Sequence, residues 1–435
     1  MKNENLKNKD SSIVEEIREK AQNLADEGRA EEGLALFEKA VKEHPGNEAL
    51  LNFGTLYLLT EKEQLDDFGQ HFKDWLAVSA EQGREDAALT LSSLILMQEG
   101  KKAAKEVLPF LEKAALFKDK EIAREAACRL GEIYLLHVFD DVPVDEEKAR
   151  AWLEKAADLG SGRGMYLLSR FYEELSSQPD KKKSDEWLQR AAAAGNGDAC
   201  YDMASECIVE AGFRVGSQKI QALKKAVPFL KKGAENSDDE CCLMLGMFYL
   251  NGTGIKRDTK KGLDFIKEAA ALGLPEAMMY LAQLYRGELP RVPVKKNPAK
   301  AALWLEKAAS AGNMYAEENL GLSYILGEGV KKDPEKGMQY LEKALQDGSS
   351  WAGLMMAAVY MGRDGIPQNL LKVEEYLRRT IFMNGPASDE AGEMLNRLKD
   401  KDWTAVPSLQ AISARRADEE RGNPADGLGS LSGRY

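Results

Sequence analysis

The sequence predicts an all-α protein: a right-handed α-solenoid, or superhelix, of about ten antiparallel helix pairs. A phrase of the type Lys-Ala-Ala, closed by a glycine, recurs every 35 to 42 residues, and such a period is typical of stacked supersecondary units. The 435 residues also include only seven threonines, which favour strands, whereas alanine, the best helix former, is abundant.

The recurring phrase marks the end of the second helix in each pair. It reads KAADLG up to Gly160, EAAALG up to Gly273, KAASAG up to Gly312 and KALQDG up to Gly348. Glycine adopts left-handed backbone angles without steric cost and commonly ends a helix in that conformation. We therefore predict that each of these glycines is a left-handed C-cap.

A second phrase, ending in tyrosine, marks the first helix of each pair. Examples are LMLGMFY up to Tyr249, ENLGLSY up to Tyr324 and LMMAAVY up to Tyr360. The residues eight and three positions before the tyrosine are small in every copy, and the residue four positions before it is Leu or Met. At about 100° per residue these positions share one side of the helix. They predict a packing face that another helix approaches closely.

Charge and composition exclude several classes of protein. Asp and Glu number 72 and Lys and Arg 60, so the net charge is −12, and a nucleic-acid partner is not expected because phosphate contacts need a basic surface. The first twelve residues are polar and no apolar run would span a membrane, so we expect a cytoplasmic protein without membrane insertion, with signal-independent export left open. Reduced thiols are expected at the five cysteines: Cys128, Cys200, Cys207, Cys241 and Cys242.

Two stretches carry a family resemblance. LGMFYLNGTGIKRDTKKGLDFIKEAA (Leu245 to Ala270) and LGLSYILGEGVKKDPEKGMQYLEKA (Leu320 to Ala344) closely resemble the Sel1-like repeat family, which belongs to the tetratricopeptide-like α-solenoids. GRAEEGLALFEKAVKEHPGNEALLNFGTLYL (Gly28 to Leu58) is similar instead to a tetratricopeptide repeat. The resemblance implies a scaffold for protein–protein interaction, in which the first helix of each pair lines a concave groove.

The chain divides into five predicted regions. Repeats of two kinds fill most of it, and the two ends are expected to be disordered, although the tail could also dock on a partner or fold back into the groove. The regions are a disordered N-terminus (1–12), tetratricopeptide-like and degenerate repeats (13–118), Sel1-like repeats (119–385), a capping helix (386–400) and a mostly disordered tail (401–435).

The groove-lining stripe predicts the partner-binding residues. Positions nine, five and two before the tyrosine lie opposite the packing face, and they turn from charged to apolar, aromatic and Met-rich in the last four repeats. Such side chains suit contact with a helix or peptide, but burial between adjacent helices or self-association would also explain them. The candidates are Met244, Met247, Tyr280, Gln283, Tyr315, Asn319, Leu322, Trp351 and Met355.

Catalytic, metal and cofactor sites are not expected. His44, His71 and His137 are dispersed, without a repeated nucleophile or carboxylate neighbour, and are interpreted as solvated or capping residues. Cys200, Cys207, Cys241 and Cys242 could form a thiolate metal site, but Cys241 occupies a small-residue slot and Cys207 a tyrosine slot, so packing already accounts for both. The Gly-rich loops lack the preceding strand of a phosphate-binding loop.

These observations favour a non-catalytic adaptor or scaffold that binds a protein or peptide. The first alternative is a dedicated inhibitor, or immunity-type partner, of one enzyme or toxin, since an acidic protein suits a basic target. The second alternative, implied by the family resemblance, is a hydrolase acting on cell-wall-type ligands. It lacks a nucleophile–base arrangement in this sequence.

Overall fold

The computed structural model describes residues 2–44, 48–61, 63–65, 68–81, 84–99, 104–136, 141–289, 292–400 and 406–422. All regular structure in these ranges is helical, with 22 α-helices and two π-helical turns, which confirms the all-α prediction and fits about ten helix pairs. The chain forms two compact units, Met1–Ala199 and Cys200–Tyr435, and the division falls inside helix α11 (Gly197–Gly212).

The first unit contains ten α-helices before α11 and one π-helical turn, Phe171–Leu175, which directly follows α9. Successive helices pack against each other, most closely within the pairs α7–α8 and α9–α10. The helices are α1 (Lys2–Asp26), α2 (Ala30–Glu43), α3 (Glu48–Thr60), α4 (Phe68–Glu81), α5 (Glu85–Glu99), α6 (Ala104–Ala114), α7 (Lys120–Leu135), α8 (Glu146–Asp158), α9 (Gly162–Arg170) and α10 (Lys181–Ala194).

The second unit continues the pairs and adds two single helices at its end. The pairs are α13–α14, α15–α16, α17–α18 and α19–α20, and a π-helical turn, Val359–Arg363, follows α19. The helices are α12 (Gly216–Glu235), α13 (Asp239–Asn251), α14 (Thr259–Ala271), α15 (Pro275–Arg286), α16 (Pro298–Ser310), α17 (Met314–Leu326), α18 (Pro334–Gln346), α19 (Ser350–Ala358), α20 (Leu370–Phe382), α21 (Ser388–Lys399) and α22 (Leu409–Gly422).

One hydrogen-bonding arrangement joins the two helices in six of the pairs. In α13–α14 the backbone N–H of Asp258 donates to the carbonyl of Tyr249 at 2.9 Å, and the Asp258 carboxylate accepts from the N–H of Lys261 at 3.0 Å. Asp258 is therefore the N-cap of α14 and is anchored to the end of α13. The same two bonds recur at Asp145 with Tyr134, Asp180 with Tyr172, Asn297 with Tyr285, Asp333 with Tyr324 and Asn369 with Tyr360.

The tyrosine ring has a second packing role. The rings of Tyr249 and Phe265 stack with centroids 5.8 Å apart and an interplanar angle of 4°. The ammonium of Lys261 lies 5.8 Å from the Tyr249 centroid, a cation–π contact. Equivalent stacks join Tyr324 to Tyr340 and Tyr360 to Tyr376. The recurrence of the tyrosine, the cap and the second-helix aromatic therefore follows from one packing unit.

Small residues allow close helix approach, as the sequence predicts. A Cβ atom on Gly246 would lie 2.8 Å from the carbonyl oxygen of Gly262, so α13 and α14 touch at their backbones. Successive pairs are also held closely, because a Cβ on Gly329, whose φ is +78°, would lie 2.1 Å from the carbonyl oxygen of Pro298. The glycines predicted to end the second helices are left-handed, but each stands one residue past the C-cap, as Gly312 at φ +81° does after the C-cap Ala311.

The chain ends differ from the sequence prediction. Helix α1 already includes residues 2–12, which were expected to be disordered. Helix α21, Ser388–Lys399, lies within the range predicted for a capping helix. The tail 401–435 was expected to be mostly disordered, but its residues 409–422 form α22, in which Leu409 and Ile412 are fully buried. The remaining tail residues outside 406–422 lie beyond the described part of the chain.

Candidate functional site

The predicted binding residues lie on one helix face of the second unit. We call this surface the groove face: the side of α13, α15, α17 and α19 formed by the positions nine, five and two before each terminal tyrosine. Its open part is partly exposed to solvent, and Tyr315, the most exposed member, is 47% exposed. The members of the open part are Met247, Tyr280, Gln283, Tyr315 and Asn319.

Hydrogen bonds orient the polar side chains of the open part. The guanidinium of Arg286 donates from Nη1 to Oδ1 of Asn319 at 2.7 Å, and Nδ2 of Asn319 donates to the backbone carbonyl of Tyr315 at 2.8 Å. Burial raises the pKa of Tyr280, against a smaller opposite effect of its hydrogen bond with Asn251. The open part thus offers aromatic surface together with amide and phenol groups, which suits contact with another protein.

Four of the predicted binding residues are not available at the surface. Met244, Leu322, Trp351 and Met355 are each no more than 8% exposed, so the expectation that they form an open apolar stripe is wrong. Met244 lies on a stretch of α13 that is buried almost without interruption. The other three residues belong to one apolar cluster that also contains Val406, Leu409 and Ile412.

Helix α22 covers the far end of the groove face. It packs against α19, and Leu409 and Ile412 are fully buried while Arg416 is nearly so. Positions three and seven after the first apolar residue share one side of a helix, so these three side chains form a single buried stripe. A helix that lies in an apolar groove through a few anchoring side chains is a common mode of peptide recognition.

A buried ion pair fixes the register of α22. Nε of Arg416 lies 2.6 Å from Oε2 of Glu318, and these side chains are 6% and 1% exposed. The Arg416 guanidinium also lies 5.2 Å from the centroid of the Tyr315 ring, and the hydroxyl of Ser349 donates to Glu318. Removal of one partner of a buried pair is strongly destabilising because the other charge stays buried without its countercharge. The buried Glu318 carboxylate is therefore stable only with a cationic side chain at the position of Arg416.

The carboxylates of α17 were not among the residues predicted from sequence. Glu317 and Glu318 are fully buried, and Glu317 pairs with Lys343 of α18. The sequence does contain a sign that Glu317 and Glu318 are unusual: the positions seven and six before the terminal tyrosine hold only uncharged residues in the other repeats. A charged side chain at a buried position needs a partner of opposite charge. The uncharged residues are Ala127, Cys128, Met165, Tyr166, Cys200, Tyr201, Cys242, Leu243, Met278, Met279, Gly353 and Leu354.

The histidines and cysteines do not converge on a reactive centre in the described residues. His71 pairs with Glu31 at 3.0 Å, His44 is the C-cap of α2, and His137 lies outside the described residues. Burial raises the pKa of Cys128 to about 12 and also raises the pKa of Cys241, so both thiols stay protonated at neutral pH.

Neither a metal site nor a membrane-spanning helix is found in the part of the chain that the structure describes. No group of three or more His, Cys, Asp or Glu residues there could hold a metal ion. Among the same residues, every helix is too short or too polar to cross a membrane.

Comparisons with known proteins identify the repeats. The Sel1 repeat family matches residues 124–161, 162–196, 239–274, 275–313 and 315–349. Similar solved structures include a Sel1 repeat protein from Oxalobacter formigenes, 24% identical, covering 75% of this chain and 90% of that chain with a TM-score of 0.48. Another is c5321, a protective antigen of uropathogenic Escherichia coli with an SLR fold, 19% identical, covering 92% and 96% with a TM-score of 0.33. The immunity protein Pa5087 of Pseudomonas aeruginosa is 22% identical, covering 50% and 74% with a TM-score of 0.29.

Proposed function

Because the chain belongs to the Sel1 repeat family through five repeats between residues 124 and 349, we propose that it is a non-catalytic adaptor or scaffold that binds a protein or peptide on its groove face. Repeat scaffolds present such extended surfaces because each repeat contacts only its neighbours and leaves one face free. The open part of the groove face supplies the contact surface in this proposal.

The observation that supports this proposal is the position of α22. A helix of the chain itself lies on the groove face, held by an apolar stripe and by the ion pair between Glu318 and Arg416. The surface that continues beside it carries Tyr315 and Tyr280, and aromatic side chains of this kind are enriched where proteins bind each other. A partner helix or extended segment would meet the same kind of surface.

Affinity purification of side-chain variants tests the proposal. The tagged chain is expected to recover a partner from its native cell, and Tyr315→Ala combined with Gln283→Ala is expected to reduce that recovery at least tenfold without loss of helicity. The matched control is Phe382→Ala on α20, which removes an aromatic side chain that is 91% exposed but lies on a second helix. Equal recovery by the double variant and the control would contradict binding on the groove face.

A narrower candidate function is inhibition of one enzyme or toxin. The net charge of −12 favours it, since an acidic surface speeds association with a basic target. This function predicts one partner in fixed stoichiometry, with an association rate that falls steeply as salt rises. Several partners recovered in variable amounts would favour the scaffold instead. Substrate turnover by the purified chain that survives the double variant would argue for an enzyme.

A further inference from the structure

We propose that the surface under α22 is a helix-binding site and that α22 is its removable occupant, which a partner helix with an arginine in the same register replaces. This inference rests on the proposed function and names the ligand class for one end of the groove face. The ligand is a mostly polar helix with two apolar residues three positions apart and an arginine four positions after the second, as in Leu409, Ile412 and Arg416.

Helix α22 differs from the repeats that it covers. Each repeat helix of the second unit is joined to the next helix along the chain by the tyrosine–cap hydrogen bond or by direct packing. Helix α22 instead follows the single helix α21 and packs on α19, an earlier helix of the chain. Among residues 406–416, whose side chains the structure describes, the buried ones are Val406, Leu409, Ile412 and Arg416. The loss of α22 would leave every helix pair of the repeats intact, as expected for an occupant and not for a structural repeat.

The chemistry under α22 selects arginine. The Glu318 carboxylate is fully buried in α17, where uncharged residues stand in the other repeats, so it needs a cation whenever the face is covered. The ring of Tyr315 lies 5.2 Å from the Arg416 guanidinium, and a planar guanidinium stacks on an aromatic face better than an ammonium does. Trp351 and Met355 belong to α19, on which α22 packs, and share one apolar cluster with Leu409 and Ile412, so they supply the apolar surface for the two apolar residues of the ligand.

Exchange of the tail in the whole protein tests this inference. A protease site inserted between Asp400 and Val406 allows the tail to be cut after folding, and circular dichroism checks that the repeats remain helical. A labelled synthetic peptide of residues 406–422 is then added in excess. We expect it to displace the cut tail, and we expect the Arg416→Gln peptide to compete roughly 100-fold less well, because breaking a buried ion pair has an effect of that size.

The Arg415→Gln peptide is the matched control. Arg415 is 55% exposed and pairs with Glu390 at the surface, so its loss is expected to weaken competition less than about fivefold. In the Glu318→Gln chain the difference between the two variant peptides is expected to disappear. Equal competition by both peptides on the unchanged chain, a tail that never exchanges, or unfolding after the cut would each overturn the inference. A tail that never exchanges, together with partner recovery that still depends on Tyr315, would leave the proposed function standing.

Discussion

Replacing Arg416 with Gln in the full-length chain is expected to detach α22 about 100 times more often. The guanidinium and the Glu318 carboxylate are 2.6 Å apart and almost fully shielded from solvent, so solvent screening of the pair is slight. Breaking a buried pair costs roughly 3 to 5 kcal/mol, and 1.4 kcal/mol corresponds to a factor of ten in an equilibrium. The lower end of that range gives about 100-fold. Loss of the contact with the Tyr315 ring acts in the same direction.

Amide hydrogen exchange measures this equilibrium directly. When closing is fast, the exchange rate of the α22 amides is proportional to the fraction of time that α22 is detached. The Arg416→Gln chain is therefore expected to exchange these amides about 100-fold faster, with the amides of α13 unchanged. Arg415→Gln, which breaks only an exposed pair, is expected to change the rate less than about fivefold. Similar rates in both variants would refute the assignment of Glu318 as the anchor.

Three further predictions concern the repeats. Gly312→Ala is expected to cost about 1–2 kcal/mol of unfolding free energy for its positive φ alone, since nothing lies near the added Cβ. Gly329→Ala should cost roughly 1–3 kcal/mol more, because its added Cβ clashes with the preceding helix pair. Urea denaturation measures both losses, and equal losses would contradict this packing. Burial opposes ionisation of Glu342, but hydrogen bonds from Arg379 and Tyr376 outweigh it and lower its pKa. Glu342→Gln should therefore lose about 1 kcal/mol of unfolding free energy at pH 7, and progressively less as the pH falls through the lowered pKa. Burial raises the pKa of Glu317 above 4.5 despite the nearby Lys343, so the Glu317→Gln chain should be more stable at pH 7 and lose that gain near pH 4. If the stabilities of the Glu342→Gln and Glu317→Gln chains changed with pH in the same direction, both pKa directions would be contradicted.

The repeat pattern made most of the fold predictable. Tyrosine, the Asp or Asn cap and the second-helix aromatic recur together because they form one packing unit, so their spacing locates both helices of each pair. The π-helical turn at Phe171–Leu175 was not predicted, since a single residue added to a helical turn leaves no distinct signal in the residue pattern. The turn at Val359–Arg363 contains the left-handed Gly362, at φ +81°, and was not predicted either.

The positions of the groove-face residues were predicted in part. Position counting from the tyrosine placed Tyr315 and Trp351 on the same helix face, but it could not tell which of them would be covered. The covering helix lies outside the repeats, and a contact between segments so far apart in sequence leaves no periodicity. The two glutamates at uncharged slots, Glu317 and Glu318, were the available signal, because a buried carboxylate implies a cation from elsewhere in the chain.

Hydroxyl-radical footprinting of the full-length chain tests most directly whether α22 covers the groove face. The Leu409→Asp, Ile412→Asp chain, in which two buried apolar contacts are replaced by charges, is compared with the unchanged chain. Trp351 and Met355 are expected to be oxidised several times faster in the variant, whereas Met244, which is buried but not part of the α22 cluster, should be oxidised at the same rate. Unchanged protection of Trp351 and Met355, or a parallel increase at Met244, would contradict a helix that covers one end of the groove face.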